Sequence, residues 1–377
     1  MDDDILLYAL PVFGALMALE FAIGLARRRN NYGWADTLSS LGQGLMSQVV
    51  ALCTRAIQVG LYAAAWPHIA LAPHAALWAH PAGAIAAVVL YDFSDYWLHR
   101  VSHERALFWA AHAVHHQSEH FNFSTALRQE SAYGITGCVF FLPMALIGVP
   151  PRLFGLAAIV VLFYQFWIHT VHIGRLGPLD RLVSTPSNHR VHHAVNERYL
   201  DRNYAAIFIL WDRLFGTFQP ECADEPCVYG TTLPLRSWDP LRAVGGPYAD
   251  LWRRCAEAPR WRDRFALLFA APSAPRGADG QPAVIPPTQG RSRYAPAQSA
   301  AQRGVAGVLF FGALAGTGAL LWTGDALRSG PLALASGAIV AVLWAMGAAL
   351  EARASALRAL AIGIPASFVA IAAALFG

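Results

Sequence analysis

The chain has 377 residues, of which 56% are hydrophobic and only 14% charged, and its mean hydropathy is +0.38. Soluble domains carry roughly 25% charged residues, so this deficit argues against a soluble enzyme and for burial in a membrane. The net charge is +4 and all 28 basic residues are arginines scattered between apolar blocks, which argues against a nucleic-acid partner.

A helical span of the bilayer core takes about 20 mostly apolar residues. Residues 5–26 qualify and end on Arg27, Arg28 and Arg29. The block follows Asp2, Asp3 and Asp4, whereas a cleavable secretory signal opens with positive charge, so no such signal is expected. Residues 41–65 and 78–98 form a second and a third block. Residues 134–149 and 153–171 are shorter, separated by Pro150 and Pro151, and read as a full or a partly inserted hairpin. Three more blocks follow at 305–323, 332–350 and 357–376. Arginine marks the cytoplasmic side. The triple arginine therefore places the acidic N-terminus outside, the uncharged loop from Trp66 to Leu77 outside, and Arg100 in the cytoplasm with residues 172–301. The alanine- and arginine-heavy usage suggests a bacterial inner membrane.

The expected fold class is an all-α integral membrane protein: a multi-span helical bundle with a histidine-rich di-metal helical cap on the cytoplasmic face. It divides into N-terminal transmembrane helices (1–79), a catalytic domain (80–235), a polar Pro/Gly/Arg-rich linker (236–300) and C-terminal transmembrane helices (301–377). The last three blocks are rich in small residues, which let helices approach closely, and contain no histidine. They are expected to form a separate packing or homo-oligomerisation module, removable after about residue 275 with the metal site intact.

Eleven of the fourteen histidines fall between His99 and His193. They cluster as His99 and His103, then His112, His115 and His116, then His189, His192 and His193. Residues three and four apart share a helix face, so three helical segments offer two, three and three imidazoles, enough for two metals. Neutral imidazole suits iron, copper, nickel and zinc. Structural zinc takes four ligands and favours thiolates, but Cys53, Cys138, Cys222, Cys227 and Cys255 lie apart from the clusters without framework spacing. A soluble di-iron carboxylate bundle would carry paired Glu-x-x-His motifs. An imidazole-rich di-iron centre at a membrane surface fits better. Three rivals stay open at this point. A haem electron-transfer protein needs paired axial ligands, a metal transporter would hold its ligands at mid-membrane, and a zinc hydrolase would use fewer of them. His68, His74 and His80 fall near the opposite membrane side and are expected to be structural.

The segments HRVSHE (99–104), WAAHAVHHQSEHFNFSTALRQ (109–129), FWIHT (166–170) and LGPLDRLVSTPSNHRVHHAVNERYLDRNYAAIFILWDRLFGTF (176–218) resemble the fatty acid hydroxylase / sterol desaturase superfamily, and within it the alkylglycerol monooxygenase-like branch. The resemblance covers roughly residues 80–235. It implies that His99, His103, His112, His115, His116, His189, His192 and His193 are metal ligands, with His169 as a ninth. Members often carry a further histidine before the third cluster; Asn188 stands there, so no ligand is assigned to it. Asn122, Thr125, Arg128 and Gln129 match the branch and are expected beside the active site, serving headgroup, reductant or structure.

Metal-bound imidazoles commonly donate their second N–H to a carboxylate. Glu104, beside His103, and Glu119, three residues past His116, are therefore the catalytic candidates, with Asp95, four before His99, as a supporting one. Asp92 reads instead as a solvated or interfacial carboxylate. His172 and His120 are expected to be supporting or incidental, and Trp97, Trp109, Trp167 and Trp211 to be interfacial anchors or packing residues. The chemistry implied is oxygenation of a membrane lipid with two iron ions, dioxygen as co-substrate and an external electron donor. Hydroxylation and desaturation need the same ligands. The branch favours monooxygenation, including attack beside an ether oxygen, whose hemiacetal product would fall apart to aldehyde and alcohol. Mammalian members of the branch use tetrahydrobiopterin. This sequence shows neither a pterin motif nor a fused cytochrome or ferredoxin segment, so the reductant, tetrahydrobiopterin-like or an electron-transfer protein, is expected to be separate.

Overall fold

The computed structural model describes residues 4–272, 290–324 and 326–376, so the middle of the expected linker lies outside the described residues. The chain opens with α1 (Asp4–Ala26), α2 (Trp34–Ile69) and α3 (Pro81–Glu104). Then come α4 (Ala106–His116), α5 (Phe123–Ala126), α6 (Tyr133–Gly137), α7 (Leu142–Ile147) and α8 (Pro151–Trp167). Short α9 (Pro186–His192) and α10 (Leu210–Leu214) precede α11 (Pro240–Glu257) and α12 (Trp261–Leu268). The chain closes with α13 (Ala300–Thr323), α14 (Ser329–Leu350) and α15 (Ala356–Phe376). Among the described residues there is no strand, only an isolated bridge between Ala194 and Tyr229.

Four helices are long and apolar enough to cross a membrane: α1 from Ala9 onward, α13, α14 and α15. The expected spans at 41–65 and 78–98 fall on α2 and α3; α3 falls short of that standard, and the side chains of α2 at 55, 56, 58 and 59 lie outside the described residues. Both helices carry a polar face. On α2, Asp36, Ser39, Ser40, Gln43 and Ser47 recur at helical spacing and are all buried. On α3, Asp92, Ser94, Asp95, His99, Ser102 and His103 are buried likewise. With 36 residues α2 is about 54 Å long, well beyond the ≈30 Å hydrocarbon core, so it also supports the histidine cap. Asp36 accepts from the Ser118 hydroxyl at 2.6 Å, and Ser39 accepts from Arg128 at 3.1 Å. The backbones meet so closely that a Cβ at Gly44 would run into the Leu127 carbonyl oxygen, a position only glycine fills. The apolar helix α8, with 17 residues, is shorter than a full span.

On α1 the buried carboxylate of Glu20 accepts from the Tyr32 hydroxyl, the Phe123 N–H and the Thr170 hydroxyl. A membrane helix thereby gains a polar tie to the cap, with every partner named. The C-terminal helices do not stand apart as the sequence suggested. Leu309, Phe310, Ile339, Val342 and Leu343 share one apolar core with Leu38, Leu45, Met46 and Val49 of α2 and with Trp238. Ala/Gly-rich faces allow this close packing; a Cβ at Gly316, for example, already touches Ala370 and Ile339.

Candidate metal centre

Nine buried imidazoles converge beneath α4. His99, His103, His112, His116 and His192 form one group and His115, His169, His189 and His193 a second, each with its candidate ligand atoms within 4.8 Å of one another. The groups cut across the sequence clusters. At 3.6 residues per turn, positions four apart are nearly eclipsed while neighbours diverge by about 100°. His112 and His116 therefore join one group and His115 the other; on α9, His189 and His193 join one and His192 the other. His169 arrives from the turn after α8.

The hydrogen bonds reveal what the rings are set up to hold. Nδ1 of His115 lies 2.9 Å from the Arg128 carbonyl, and Nδ1 of His169 lies 2.7 Å from that of Gln165. A carbonyl only accepts, so each Nδ1 carries the proton and each Nε2 of the neutral ring is a bare lone pair. Yet these two Nε2 atoms face each other at 3.4 Å, where neither can donate. The same pattern holds for His99, with Nδ1 at 2.7 Å from the Tyr204 carbonyl and Nε2 at 3.1 Å from that of His112. His192 Nδ1 meets the Arg202 carbonyl at 3.1 Å, while its Nε2 and that of His103 are buried without a hydrogen-bond partner. Lone pairs turned inward on one another suit a cation between them. Nitrogens bound to zinc at about 2.1 Å would lie about 3 Å apart at right angles. Burial pushes His112, His116, His189, His192 and His193 below the usual imidazole range and His115 down to about 4, so these rings are neutral, as metal ligation requires.

Glu130, which the sequence reading missed although it follows Gln129 directly, makes a close carboxylate contact with a ring; Asp201 stands farther off, 3.7 Å from His103 Nδ1. The Glu130 Oε1 lies 2.6 Å from His112 Nδ1. Burial pushes the Glu130 carboxyl up to about 8; a positive charge on the far side of His112 would favour its ionised form. The two carboxylates expected to act sit elsewhere. Glu104 pairs with Arg100 of its own helix at 2.9 Å, since i,i+4 neighbours on a helix meet more readily than sequence neighbours. Glu119 accepts the Tyr294 N–H at 2.5 Å and lines a polar cleft of about 940 Å³ with Arg198, Asp224 and Arg291, a cleft that contains no histidine. Asp95 is buried, but the His99 proton goes to the Tyr204 carbonyl.

Asp92 is not solvated. Fully buried, it accepts from the Ile207 and Phe208 N–H groups at 2.7 and 3.0 Å and from the Trp211 indole at 2.8 Å. Asp212 similarly takes the N–H groups of Tyr204 and Ala205. These two buried aspartates hold the strap whose Arg202 and Tyr204 carbonyls orient His192 and His99. Arg190 fixes α9: it donates to the carbonyls of Thr170 and Ile173 at 2.9 and 2.8 Å and pairs with Glu221 at 2.7 Å.

Residues of NFSTALRQ hold the framework together, and Ala126, Leu127 and Gln129 also line an apolar cavity with His169. Asn122 and Thr125 form the capping box of α5, and Gln129 donates to the Ala126 carbonyl. Arg128 is 1% exposed and donates to the Val114 carbonyl, Ser39 and Gln117. Arg128→Ala strips two buried acceptors and the half-buried Gln117 of their donor and should cost about 3 kcal/mol, measurable as a lower melting temperature in detergent. Asn188 donates to the carbonyls of Asp180 and Val183. His120 contacts the Asn31 carbonyl and His80 caps α3; neither they nor His172 belong to a group.

Two spaces reach the imidazoles. A pocket of about 90 Å³ touches His103, His116, His192 and His193 beside Asp201 and Thr231. A cavity of about 600 Å³ lies between α1, α2, α8 and α13 and ends on His169. Its walls, such as Phe13, Leu45, Phe166, Phe310 and Leu314, are apolar apart from His169, Thr317 and three glutamines.

Residues 84–217, which hold all nine histidines, match the family model described as fatty acid hydroxylase. This segment belongs to the fatty acid hydroxylase family. Over 265 residues the chain is 37% identical to human alkylglycerol monooxygenase, covering 70% of this chain and 58% of that protein. Over 301 residues it is 34% identical to the Xenopus tropicalis alkylglycerol monooxygenase, covering 79% and 66%. It is also 31% identical over 142 residues to an ornithine lipid hydroxylase of Rhizobium tropici, covering 36% and 41%. No solved structure matches the chain. The fatty acid hydroxylase segment thus contains the whole imidazole constellation, while α1, α2 and α13, which complete the apolar cavity, lie outside it.

Proposed function

We propose that the chain is a membrane-bound di-iron oxygenase that hydroxylates or desaturates a C–H bond of a lipid, with ether-lipid cleavage by monooxygenation as the favoured outcome. The observation that carries this reading is the apolar cavity between membrane helices that ends on His169, one of nine converging imidazoles. A hydrolase would not need an apolar chain laid against its metal ligands. The names of the relatives, an ether-lipid monooxygenase and a lipid hydroxylase, point the same way.

His99, His103, His112, His116 and His192 would hold one iron and His115, His169, His189 and His193 the other. Iron there would supply the reductive activation of dioxygen, with electrons from a separate donor. The protein's own part is positioning. Backbone carbonyls of Tyr204, Arg128, Gln165 and Arg202 take the Nδ1 protons of His99, His115, His169 and His192, so these rings present only their Nε2 lone pairs. Glu130 holds His112 in the same orientation and balances charge. The apolar cavity lays the chain beside His169 and excludes water, and the small pocket at His103 has room for a few water-sized molecules. The arginines at 27–29 and Arg100 support a cytoplasmic position for this cap, since arginine favours that side of a membrane.

In lipid nanodiscs, the purified chain should contain about two irons and consume dioxygen only with both a lipid and a reductant present. Product analysis should show aldehyde from an alkylglycerol, or a hydroxylated lipid. Bound zinc with no oxygen uptake across alkylglycerol, ornithine lipid and phospholipid would sink the proposal.

A further inference from the structure

The apolar cavity has walls of two origins. The His169 end is built by the fatty acid hydroxylase segment, through residues such as Leu127, Gln165 and Phe166; the facing wall comes from α1 and α13. On that wall stand Gly14 and Gly318, and a Cβ added at either meets no atom within 4 Å. On α13, Gly304 is equally free but lies outside the cavity, whereas two glycines near Gly318 differ. A Cβ at Gly312 would strike Ser367 and one at Gly316 would touch Ala370, so those positions are held small by helix packing. At Gly14 and Gly318 no neighbour demands glycine, although glycine inside a helix costs about 1 kcal/mol relative to alanine. Half-buried Gly318 leaves free width in the cavity, and exposed Gly14 leaves its outer side clear.

We propose that α1 and α13 form the wall that selects the chain, with Gly14 and Gly318 keeping open a lane for one long, unbranched alkyl chain beside His169. This rests on the reading of the cavity as the lipid site. The dimensions fit a chain drawn from one leaflet. Along α13 the lining runs from Phe310 to Leu321, about 16 Å of helix axis, roughly half of the ≈30 Å hydrocarbon core. Leu10 and Leu162 line the cavity and are also exposed on the protein surface, so the lane opens toward lipid. Phe13, stacked on Phe166 at 4.4 Å, stands on its wall as a flat aromatic face along which a chain can lie. Selectivity would then reside in helices that the catalytic segment does not include.

The test uses the full chain in nanodiscs with a long-chain alkylglycerol bearing a terminal diazirine, and its short-chain counterpart. Photolysis should label the tryptic peptide Gly304–Arg328. Gly318→Leu and Gly14→Leu should cut long-chain labelling by at least about tenfold, the scale of a few misplaced methylenes in an apolar pocket. Short-chain labelling and metal content should stay at wild-type levels. Gly318→Ala should show a smaller effect. Gly337→Leu serves as the control, because Gly337 lies on α14 away from the cavity, is exposed and is equally free of neighbours. Undiminished long-chain labelling in Gly318→Leu, or an equal loss in Gly337→Leu, overturns the proposal, as does preferential labelling by a diazirine sterol. Labelling that follows this pattern without oxygen-dependent product supports the wall and removes the oxygenase reading instead.

Discussion

His115→Ala should purify with about one iron per chain where the wild type holds about two, and its turnover should fall by more than about 100-fold. The expectation follows from group size. His115 belongs to the group of four, so its loss leaves three imidazoles, whereas His192→Ala leaves four in the other group. His192→Ala should therefore retain more iron at saturating metal, while binding it more weakly and losing turnover to a similar degree, because both ions are needed at once. Metal analysis of the two variants side by side reads the difference. Wild-type iron and turnover in both would refute the ligand assignment. Loss of all metal from each would show that the two groups do not load separately.

Glu130→Ala should weaken metal binding by about 10–100-fold, the usual effect of removing a ligand's outer partner. His112 would keep its place on α4 but lose the acceptor that directs its Nδ1 proton outward at 2.6 Å. The ring could then turn or change tautomer, and the buried negative charge opposite the metal would be gone. Glu130→Gln, which keeps an acceptor oxygen and drops the charge, should recover part of the affinity. Metal titration against a competing chelator measures both. Glu104→Ala gives the contrast: its partner is Arg100, near the surface, and affinity should be unchanged. A collapse of affinity in Glu104→Ala with none in Glu130→Ala would reverse the assignment made from the geometry.

The histidine constellation was legible because helical spacing is a local property: residues three and four apart must share a face wherever the helix lies. The division into five and four was not, since it depends on how α3, α4, α9 and the turn at His169 cross. The carboxylates show the limit most plainly. Proximity in sequence pointed to Glu104 and Glu119, yet a side chain adjacent to a ligand on a helix points about 100° away from it. Glu130 reaches His112 only because the segment from Asn122 to Gln129 folds back under α4. Asp92 lies inside an apolar block and looked interfacial; its three donors come from a strap more than a hundred residues later. The polar stripes of α2 and α3 were hard to see for a related reason. Asp36, Ser39, Ser40, Gln43 and Ser47 on α2, and Asp92, Asp95, His99 and His103 on α3, are buried but scattered among numerous apolar residues in the sequence. The contact of the C-terminal helices with α2 was not legible, because composition does not say which partner an Ala/Gly face will meet.

The docking of α13 on α2 has a consequence for how the protein is made. Every imidazole of the two groups is synthesised by His193, whereas the last wall of the cavity begins only at Ala300. Domains fold broadly in the order of synthesis. The cap can thus assemble while the side of His169 that later faces the cavity lacks one wall, which α13 then supplies. A nascent chain that ends before Ala300 therefore already carries every imidazole of the two groups but lacks the α13 wall of the lipid chamber.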